Sequence, residues 1–196
     1  MSGSQRRSRV GFARRLNRRV VSRPRRERPV RDLHTLKTFA GEDVFHVVVE
    51  SPRGSVVKLK YSPHLGAMSI SRPLVLGVAY PCDWGFVPST EGPDRDPIDA
   101  AIWWDVTTFP GVVIPCRALA VVRVEQNRAD SPGRIRNDRV LAVPVAARRE
   151  LALAARVRQE IEQFFIAATV LEGKEPRILG WGDGDAALEL IRSSAT

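Results

Sequence analysis

The stretch DVFHVVVESPRGSVVKLKY, residues 43–61, determines the fold class of this 196-residue chain. In its first half two sets of side chains alternate along the backbone, namely Phe45, Val47 and Val49 with Val44, His46 and Val48. A period of two with mostly β-branched residues predicts a β-strand. The sequence Pro-Arg-Gly-Ser at 52–55 is typical of a turn, so residues 56–61 are predicted to form a second strand.

Further strand-like segments follow along the chain. We predict strands at residues 67–71, 101–106, 112–124 and 140–145, with a turn at Pro110 and Gly111, and we expect the segment at 140–145 to be the last strand of any length. Several short strands divided by glycine and proline turns indicate a barrel or a sandwich.

The hydrophobic period then changes. Apolar residues recur at three- and four-residue steps, at Leu151, Ala154, Val157, Ile161, Phe164 and Ala168. This spacing predicts an amphipathic helix of about five turns, and Gly173 stands where the helix should stop. A short closing helix follows Asp183, a predicted N-cap, with Ala187, Leu190 and Ile191 on one face. The predicted class is therefore α+β, a β-barrel core flanked by one long and one short C-terminal helix.

Length, charge and cysteines limit the possible organisation. The chain has room for one sizeable core, and no apolar run approaches the roughly 20 residues of a membrane helix. Cys82 and Cys116 lack metal-type spacing, so we predict idle thiols in a reducing, cytoplasmic compartment. The net charge of +9 is concentrated in residues 1–31, which carry twelve arginines and Glu27. The remaining chain has a balance of −2, so we divide the chain into an Arg-rich disordered tail, 1–31, and a domain, 32–196.

The tail allows several interpretations. Phe12, Leu16 and Val20 recur at helical spacing among arginines, which fits a basic helix formed on an anionic surface. An organellar transit segment fits as well. We favour a solvated arm, or an extension from a start codon assigned too early. Nucleic-acid binding, a third class of function, is expected only through this tail, because the core is acidic and Trp103 and Trp104 fall in a predicted core strand.

The chemistry is concentrated in the loop Pro93-Asp94-Arg95-Asp96-Pro97-Ile98-Asp99. Its three carboxylates repel one another unless a positive charge joins them, and carboxylate oxygens select Mg²⁺, Mn²⁺ or Ca²⁺. An EF-hand is excluded because Asp99 occupies the sixth loop position, where the sharp turn needs glycine. A solvated acidic turn is the plain alternative. Lys58 and Arg72 lie on or after upstream strands and could neutralise phosphate oxygens beside this loop.

A wider set of residues resembles family I soluble inorganic pyrophosphatases, over roughly residues 43–193. The matching elements, in order, are Glu50-Ser-Pro, Lys58, Arg72, Tyr80-Pro81, Gly85-Phe-Val-Pro88, Asp94-x-Asp96-Pro97-x-Asp99, Phe109-Pro110-Gly111, Leu141-Ala-Val-Pro144, Phe164-Phe165, Leu171-Glu-Gly-Lys174 and Gly180-Trp-Gly182. The loop of three aspartates is the most specific of them.

The resemblance implies an OB-like five-stranded barrel that hydrolyses inorganic pyrophosphate to two phosphates with Mg²⁺, for which Mn²⁺ could substitute. By position, Asp94 and Asp99 would bind the metal with Glu50 in support, and Asp96 would orient or deprotonate the attacking water. Phosphate binding would fall to Lys58, Arg72, Tyr80 and Arg139. We also expect a homo-oligomer.

The chain departs from the family pattern within the site itself. Lys60 stands for a glutamate, Trp84 for a tyrosine, Asn137 for an aspartate, Arg139 for a lysine and Ala168-Thr169 for a Tyr-Lys pair. The second acidic cluster is reduced to Glu125-Gln126-Asn127 and followed by about six extra residues, a length judged against the family pattern. The leading hypothesis is therefore a Mg²⁺-dependent diphosphatase with a weakened site. The alternative is a degenerate paralogue that acts as a binding or regulatory subunit.

Overall fold

The computed structural model describes residues 32–128, 131–147 and 153–196. Nine strands and two α-helices occur in these ranges: β1 Phe45–Ser51, β2 Val57–Ser62, β3 Ala67–Pro73, β4 Asp83–Phe86, β5 Asp99–Ile102, β6 Val113–Asn127, β7 Arg134–Arg136, β8 Arg139–Pro144, α1 Ala155–Thr169, β9 Arg177–Gly182 and α2 Gly184–Ser194. The predicted tail and its amphipathic pattern lie outside the described residues.

Five strands form a closed ring in the order β1-β4-β5-β8-β6, and the ring closes because β6 also pairs with β1. All pairs are antiparallel except β5 with β8, which is parallel. Alternate side chains of these strands fill the ring interior, where Phe45, Val47, Val49, Ile102 and Val140 are fully or almost fully buried. The ring and its two C-terminal helices agree with the predicted five-stranded α+β fold.

The strand predictions were partly wrong in detail. β2 and β3 pair only with each other and stand outside the ring. β5 begins at Asp99 and ends at Ile102, so Trp103 and Trp104 follow the strand rather than lie within it. The segment at 140–145 is not the last strand, since β9 pairs with β6 after the long helix. β4 and β9 were missed because each is short and contains glycine, which weakens the strand signal.

β6 connects most of the sheet, because its 15 residues pair with β1, β7, β8 and β9 at different points. Its far end forms a hairpin with β7, in which Gln126 pairs with Ile135. This hairpin is the region in which the sequence has its extra residues. The hairpin therefore extends the sheet beyond the five-stranded ring.

The helices confirm the predicted periodicity with shifted bounds. α1 has 15 residues, which make about four turns rather than the predicted five. It buries Ile161, Phe165 and Ala168 against the outer side of the ring. Leu151 lies outside the described residues, and Ala154 is the N-cap. Gly173 ends the short 3₁₀ turn Val170–Glu172 with a φ of 66°. The Asp183 side chain accepts a hydrogen bond from the Ala186 N–H, 2.9 Å away, as a predicted N-cap should.

Both cysteines are buried free thiols, as expected, and burial raises the pKa of Cys82 and of Cys116 to about 12. Within the described ranges, no helix has the length and apolarity needed to cross a membrane.

The close pairing of β1 with β4 depends on Gly85. A Cβ atom added there would lie 1.8 Å from the Val48 carbonyl oxygen and 3.0 Å from the Val49 Cα, both backbone atoms of the paired strand. We expect Gly85→Ala to lower the free energy of unfolding by about 3 kcal/mol or more. Urea denaturation measures the loss. Gly41→Ala is the matched control, because its nearest neighbour would be a side-chain atom 3.8 Å away, and equal stabilities of the two variants would contradict the prediction.

Candidate active site

The loop of three aspartates joins β4 to β5 and has a fixed shape. The Gly92 N–H donates to the Asp96 carbonyl at 2.8 Å, and the Ile98 N–H donates to Thr90 Oγ1 at 2.9 Å. Arg95 adopts a positive φ of 66°, which reverses the chain between Asp94 and Asp96. Because Asp99 is the first residue of β5, the loop is attached directly to the ring.

One cavity of about 250 Å³ brings together all eight residues that the sequence singled out. They come from β1, β2, β3, β8, the aspartate loop and the segment before β4: Glu50, Lys58, Arg72, Tyr80, Asp94, Asp96, Asp99 and Arg139. We call the aspartate loop with Glu50 the acidic side of this cavity, and Lys58, Arg72 and Lys174 its cationic side; Lys60 and Arg139 belong to the acidic side, because each pairs with a loop aspartate. The cavity has the chemical character needed to hold a polyanion beside a cation.

Each loop carboxylate already has a partner within the chain. Asp94 accepts a hydrogen bond from Asn137 Nδ2 at 2.7 Å. Asp96 forms an ion pair with Lys60 Nζ at 2.9 Å, and Asp99 forms one with Arg139 at 3.3 Å. Asn137 and Arg139 are also joined to each other by hydrogen bonds. Three of the residues that depart from the family pattern, Lys60, Asn137 and Arg139, thus bind directly to the aspartates.

Burial and mutual repulsion perturb the acids of the cavity. Burial, and next the nearby charges of Asp99 and Asp96, raise the pKa of Asp94. Glu50 is 5% exposed, and burial raises its pKa to about 7 although the Tyr61 N–H donates to it at 2.7 Å. Burial opposes the charge of Lys60, but its hydrogen bond to Asp96 and the surrounding carboxylates raise its pKa overall. The acidic side of the cavity therefore favours positive charge.

The cationic side is partly locked in place. Arg72 donates to the Ala168 carbonyl at 2.7 Å and also forms an ion pair with Glu172. Lys174 pairs with the same Glu172 at 3.3 Å. Lys58 differs from these residues, since within the described part of the chain its side-chain ammonium has neither a hydrogen bond nor an ion pair, and burial lowers its pKa. Lys58 is thus a partly buried cation for which a bound anion would supply the missing partner.

Aromatic rings close the cavity on the helix side. The Tyr80 ring lies 5.1 Å from the Phe164 ring, and Trp84 packs edge-to-face on Phe165 at 5.6 Å. The Arg139 guanidinium sits 5.9 Å from the Trp84 ring centroid, a cation–π distance. Burial raises the pKa of Tyr80 to about 12, so its hydroxyl stays protonated and can donate. The adjoining wall, where the family pattern has a Tyr-Lys pair, consists of the small side chains of Ala168 and Thr169.

Asp138 lines a small cavity together with Asp94 and Pro97, but each described carboxylate of the insertion region has partners of its own. Glu125 pairs with Arg134 at 2.6 Å, and Asp138 is held by Arg136 and by the Val124 N–H. Asp130, a candidate replacement, lies outside the described residues. Gln126 is 4% exposed and lines a second groove that adjoins Asp94 and Asp96. An amide therefore stands where the family pattern predicts acidic character.

Sequence reasoning missed three residues of this site. His34 lines the cavity and packs against Phe86 at 4.7 Å, and nothing in the sequence around it indicated a role. Lys174 and Glu172 were quoted only as part of a motif, although Lys174 lines the cavity and Glu172 holds Arg72. Their proximity follows from the 3₁₀ turn after α1, which sequence spacing alone does not reveal.

The raised pKa of Glu50 predicts that the free energy of unfolding depends on pH. A carboxyl whose folded pKa is raised from 4.5 to about 7 destabilises the fold progressively as the pH rises through that window, and fully above it. We expect Glu50→Gln, which keeps the acceptor for the Tyr61 N–H, to raise the free energy of unfolding by about 3 kcal/mol at pH 8 in chelator and by little at pH 4.5. Urea denaturation at both pH values is the measurement. Glu42→Gln, at an exposed site, is the control, and a gain independent of pH would contradict the assignment.

The aspartate loop and the cationic side of the cavity together define the site of a phosphate-handling enzyme. Sequence and structure comparisons identify which one. The family model described as inorganic pyrophosphatase matches residues 47–196. Inorganic pyrophosphatase of Thermus thermophilus is 35% identical over 161 residues, which cover 77% of this chain and 88% of that protein. That of Streptomyces coelicolor is 36% identical over 157 residues, covering 76% and 93% respectively.

The crystal structure of inorganic pyrophosphatase from Thermus thermophilus superimposes with a TM-score of 0.76 at 32% identity, covering 84% of this chain and 97% of the other. The chain belongs to the inorganic pyrophosphatase family, a family of hydrolases. The predicted family, enzyme class and OB-like fold are confirmed.

Proposed function

We propose that this protein hydrolyses inorganic diphosphate to two phosphates, with a divalent metal ion bound at a site weakened by the loss of acidic ligands. The single observation that supports this activity is the convergence of Asp94, Asp96 and Asp99 with the phosphate-type cations Lys58, Arg72 and Arg139 in one cavity. The names of the relatives are consistent with it.

The donor set fits one hard divalent cation. Asp94 and Asp99 supply carboxylate oxygens, which Mg²⁺ and Mn²⁺ prefer, and burial, followed by the charges of Asp99 and Asp96, raises the pKa of Asp94. The third ligand position of the family is the Asn137 amide, whose carbonyl oxygen is a weaker, neutral donor. In the described ranges no group of three or more His, Cys, Asp or Glu side chains is arranged to hold a metal. We therefore assign a two-carboxylate site with low metal affinity, supported by Glu50.

The roles of the protein groups follow from their charge and position. When bound, Mg²⁺ lowers the pKa of its water and offsets phosphate charge. Asp96 orients the attacking water and accepts its proton. Lys58, Arg72 and Arg139 neutralise the oxygens of the two phosphoryl groups, and the Tyr80 hydroxyl donates a hydrogen bond. The Lys60–Asp96 ion pair must open for Asp96 to act, which is one cause of a reduced rate.

Phosphate release from diphosphate by the purified full-length chain tests the activity. The rate is measured with Mg²⁺, with Mn²⁺ and with chelator, and an Asp96→Asn variant purified in parallel measures contaminating activity. We expect metal-dependent release above that background. Rates of wild type and variant that coincide in Mg²⁺ would overturn the proposal.

That outcome would favour the second candidate, a binding or regulatory subunit without turnover. Three features support it: the ion pair on Asp96, the amide at 137 and the missing donors at Ala168 and Thr169. A homo-oligomeric state, a cytoplasmic location and binding of anionic surfaces or nucleic acid through residues 1–31 stay predictions of the sequence.

A further inference from the structure

The charge of the aspartate loop is partly neutralised from within the chain. Lys60 lies 2.9 Å from Asp96, Arg139 lies 3.3 Å from Asp99, and Asn137 donates to Asp94 at 2.7 Å. Three carboxylates in one loop normally require an external cation, because like charges at this spacing repel. Here β2 and β8 supply one cation each, to Asp96 and Asp99, and Asp94 has the neutral amide of Asn137, so two of the three carboxylates are paired with a positive group before any ion arrives.

Lys60 raises the charge of the cavity by two compared with a glutamate at the same position. Five basic side chains line the cavity, from Lys58, Lys60, Arg72, Arg139 and Lys174, and four acidic ones do, from Glu50, Asp94, Asp96 and Asp99. The balance of these lining residues is +1, and it is zero when Glu172, which pairs with Arg72 and Lys174, is counted as well. Glutamate at position 60, the family residue, would make the balance negative in both cases. A negative cavity repels diphosphate until metal ions bind, whereas a neutral or cationic one does not. The amides of Gln126 and Asn137 act in the same direction, while Thr169 removes one cation.

The geometry leaves positive charge available for a ligand. The side-chain ammonium of Lys58 has no hydrogen bond or ion pair within the described residues. The side chains of Lys60 and Asp96 are 43% and 61% exposed, so their ion pair is weak and Lys60 can turn toward a bound anion. Both lysines belong to β2 and project from the same face, two residues apart, into the cavity.

We propose that Lys60 is a built-in counter-cation which allows this pocket to bind diphosphate in the absence of divalent metal ions. The inference rests on the proposed function only in taking diphosphate as the ligand of the pocket. It assigns Lys60 a positioning and affinity role that the glutamate of the family pattern could not have.

Calorimetric titration of the full-length protein with diphosphate, in buffer containing chelator, tests the inference. Wild type is expected to bind, Lys60→Gln to bind roughly tenfold more weakly, and Lys60→Glu roughly 100-fold more weakly. Lys37→Gln removes the same charge at an exposed site outside the cavity and should change the affinity less than about twofold. Because every variant carries the same arginine tail, the tail contributes equally to all of them.

Two results would overturn the inference: a wild type that needs Mg²⁺ to bind diphosphate, or a Lys60→Gln variant that binds as tightly as wild type in chelator. Thermal denaturation of each variant shows whether it is folded, and diphosphate should raise the melting temperature of wild type in chelator more than that of Lys60→Gln. Absence of phosphate release in Mg²⁺ leaves these binding results unchanged and counts only against the proposed function.

Discussion

Replacing Asp96 by asparagine is expected to lower Mg²⁺-dependent phosphate release by about 100- to 1,000-fold, the usual cost of removing a general base. The asparagine side chain keeps the size and one oxygen of the aspartate but cannot accept a proton from water. The side chain of Asp96 is 61% exposed and the Gly92 N–H bonds to its main chain, so the loop should keep its shape. Initial rates at saturating diphosphate and Mg²⁺ measure the loss.

The matched control is Asp105→Asn, which makes the same exchange at an exposed site outside the cavity. It should retain the wild-type rate. If Asp96→Asn kept more than about a third of the wild-type rate, Asp96 would not be the base. A loss of Mg²⁺ affinity without a fall in the saturated rate would instead assign Asp96 to the metal.

Local sequence patterns predicted much of this fold. β1 carries alternation, β2, β3, β6 and β8 are strand-like segments between glycine and proline turns, and α1 and α2 carry a helical period with Asp183 as a cap. Such signals depend on neighbours along the chain, so they survive without knowledge of the tertiary structure. Closure of the ring cannot be predicted from such local signals, because the pairing of β1 with β6 joins segments that are distant in the sequence. β4 and β9 form because neighbouring strands provide hydrogen-bond partners for them. Their glycine-containing sequences give no local signal of this pairing.

The site shows the same division between local and distant information. The aspartate loop was recognisable because its three carboxylates are close in sequence, and the resemblance then assigned partners to it. Lys60 and Asn137 were visible in the sequence as departures from the family pattern. Their direct contacts with the loop aspartates were not visible there. Lys60 is 36 residues from Asp96 in the chain, and only the packing of β2 against the loop shows that it binds this carboxylate. The exchange at position 60 therefore does more than remove an acidic group, because it adds an internal cation.

Restoring aspartate at position 137 is expected to tighten Mg²⁺ binding by about 10- to 100-fold, because metal affinity in oxygen-ligand sites rises with the number of charged ligands. Asn137 already lies 2.7 Å from Asp94, so Asn137→Asp would place a third carboxylate beside Asp94 and Asp99. Without metal the new carboxylate repels Asp94, which Arg139 offsets in part. The metal-free protein should therefore be less stable, and Mg²⁺ should restore that stability.

Calorimetric titration with Mg²⁺ and thermal denaturation across Mg²⁺ concentrations measure this change. Gln159→Glu, which turns an amide into an acid on the exposed face of α1, controls for the added charge and should leave Mg²⁺ affinity unchanged. Unaltered affinity in Asn137→Asp would mean that Asp94 and Asp99 do not hold the ion. A gain in affinity combined with a higher rate of phosphate release would show that the missing carboxylate at position 137 limits catalysis.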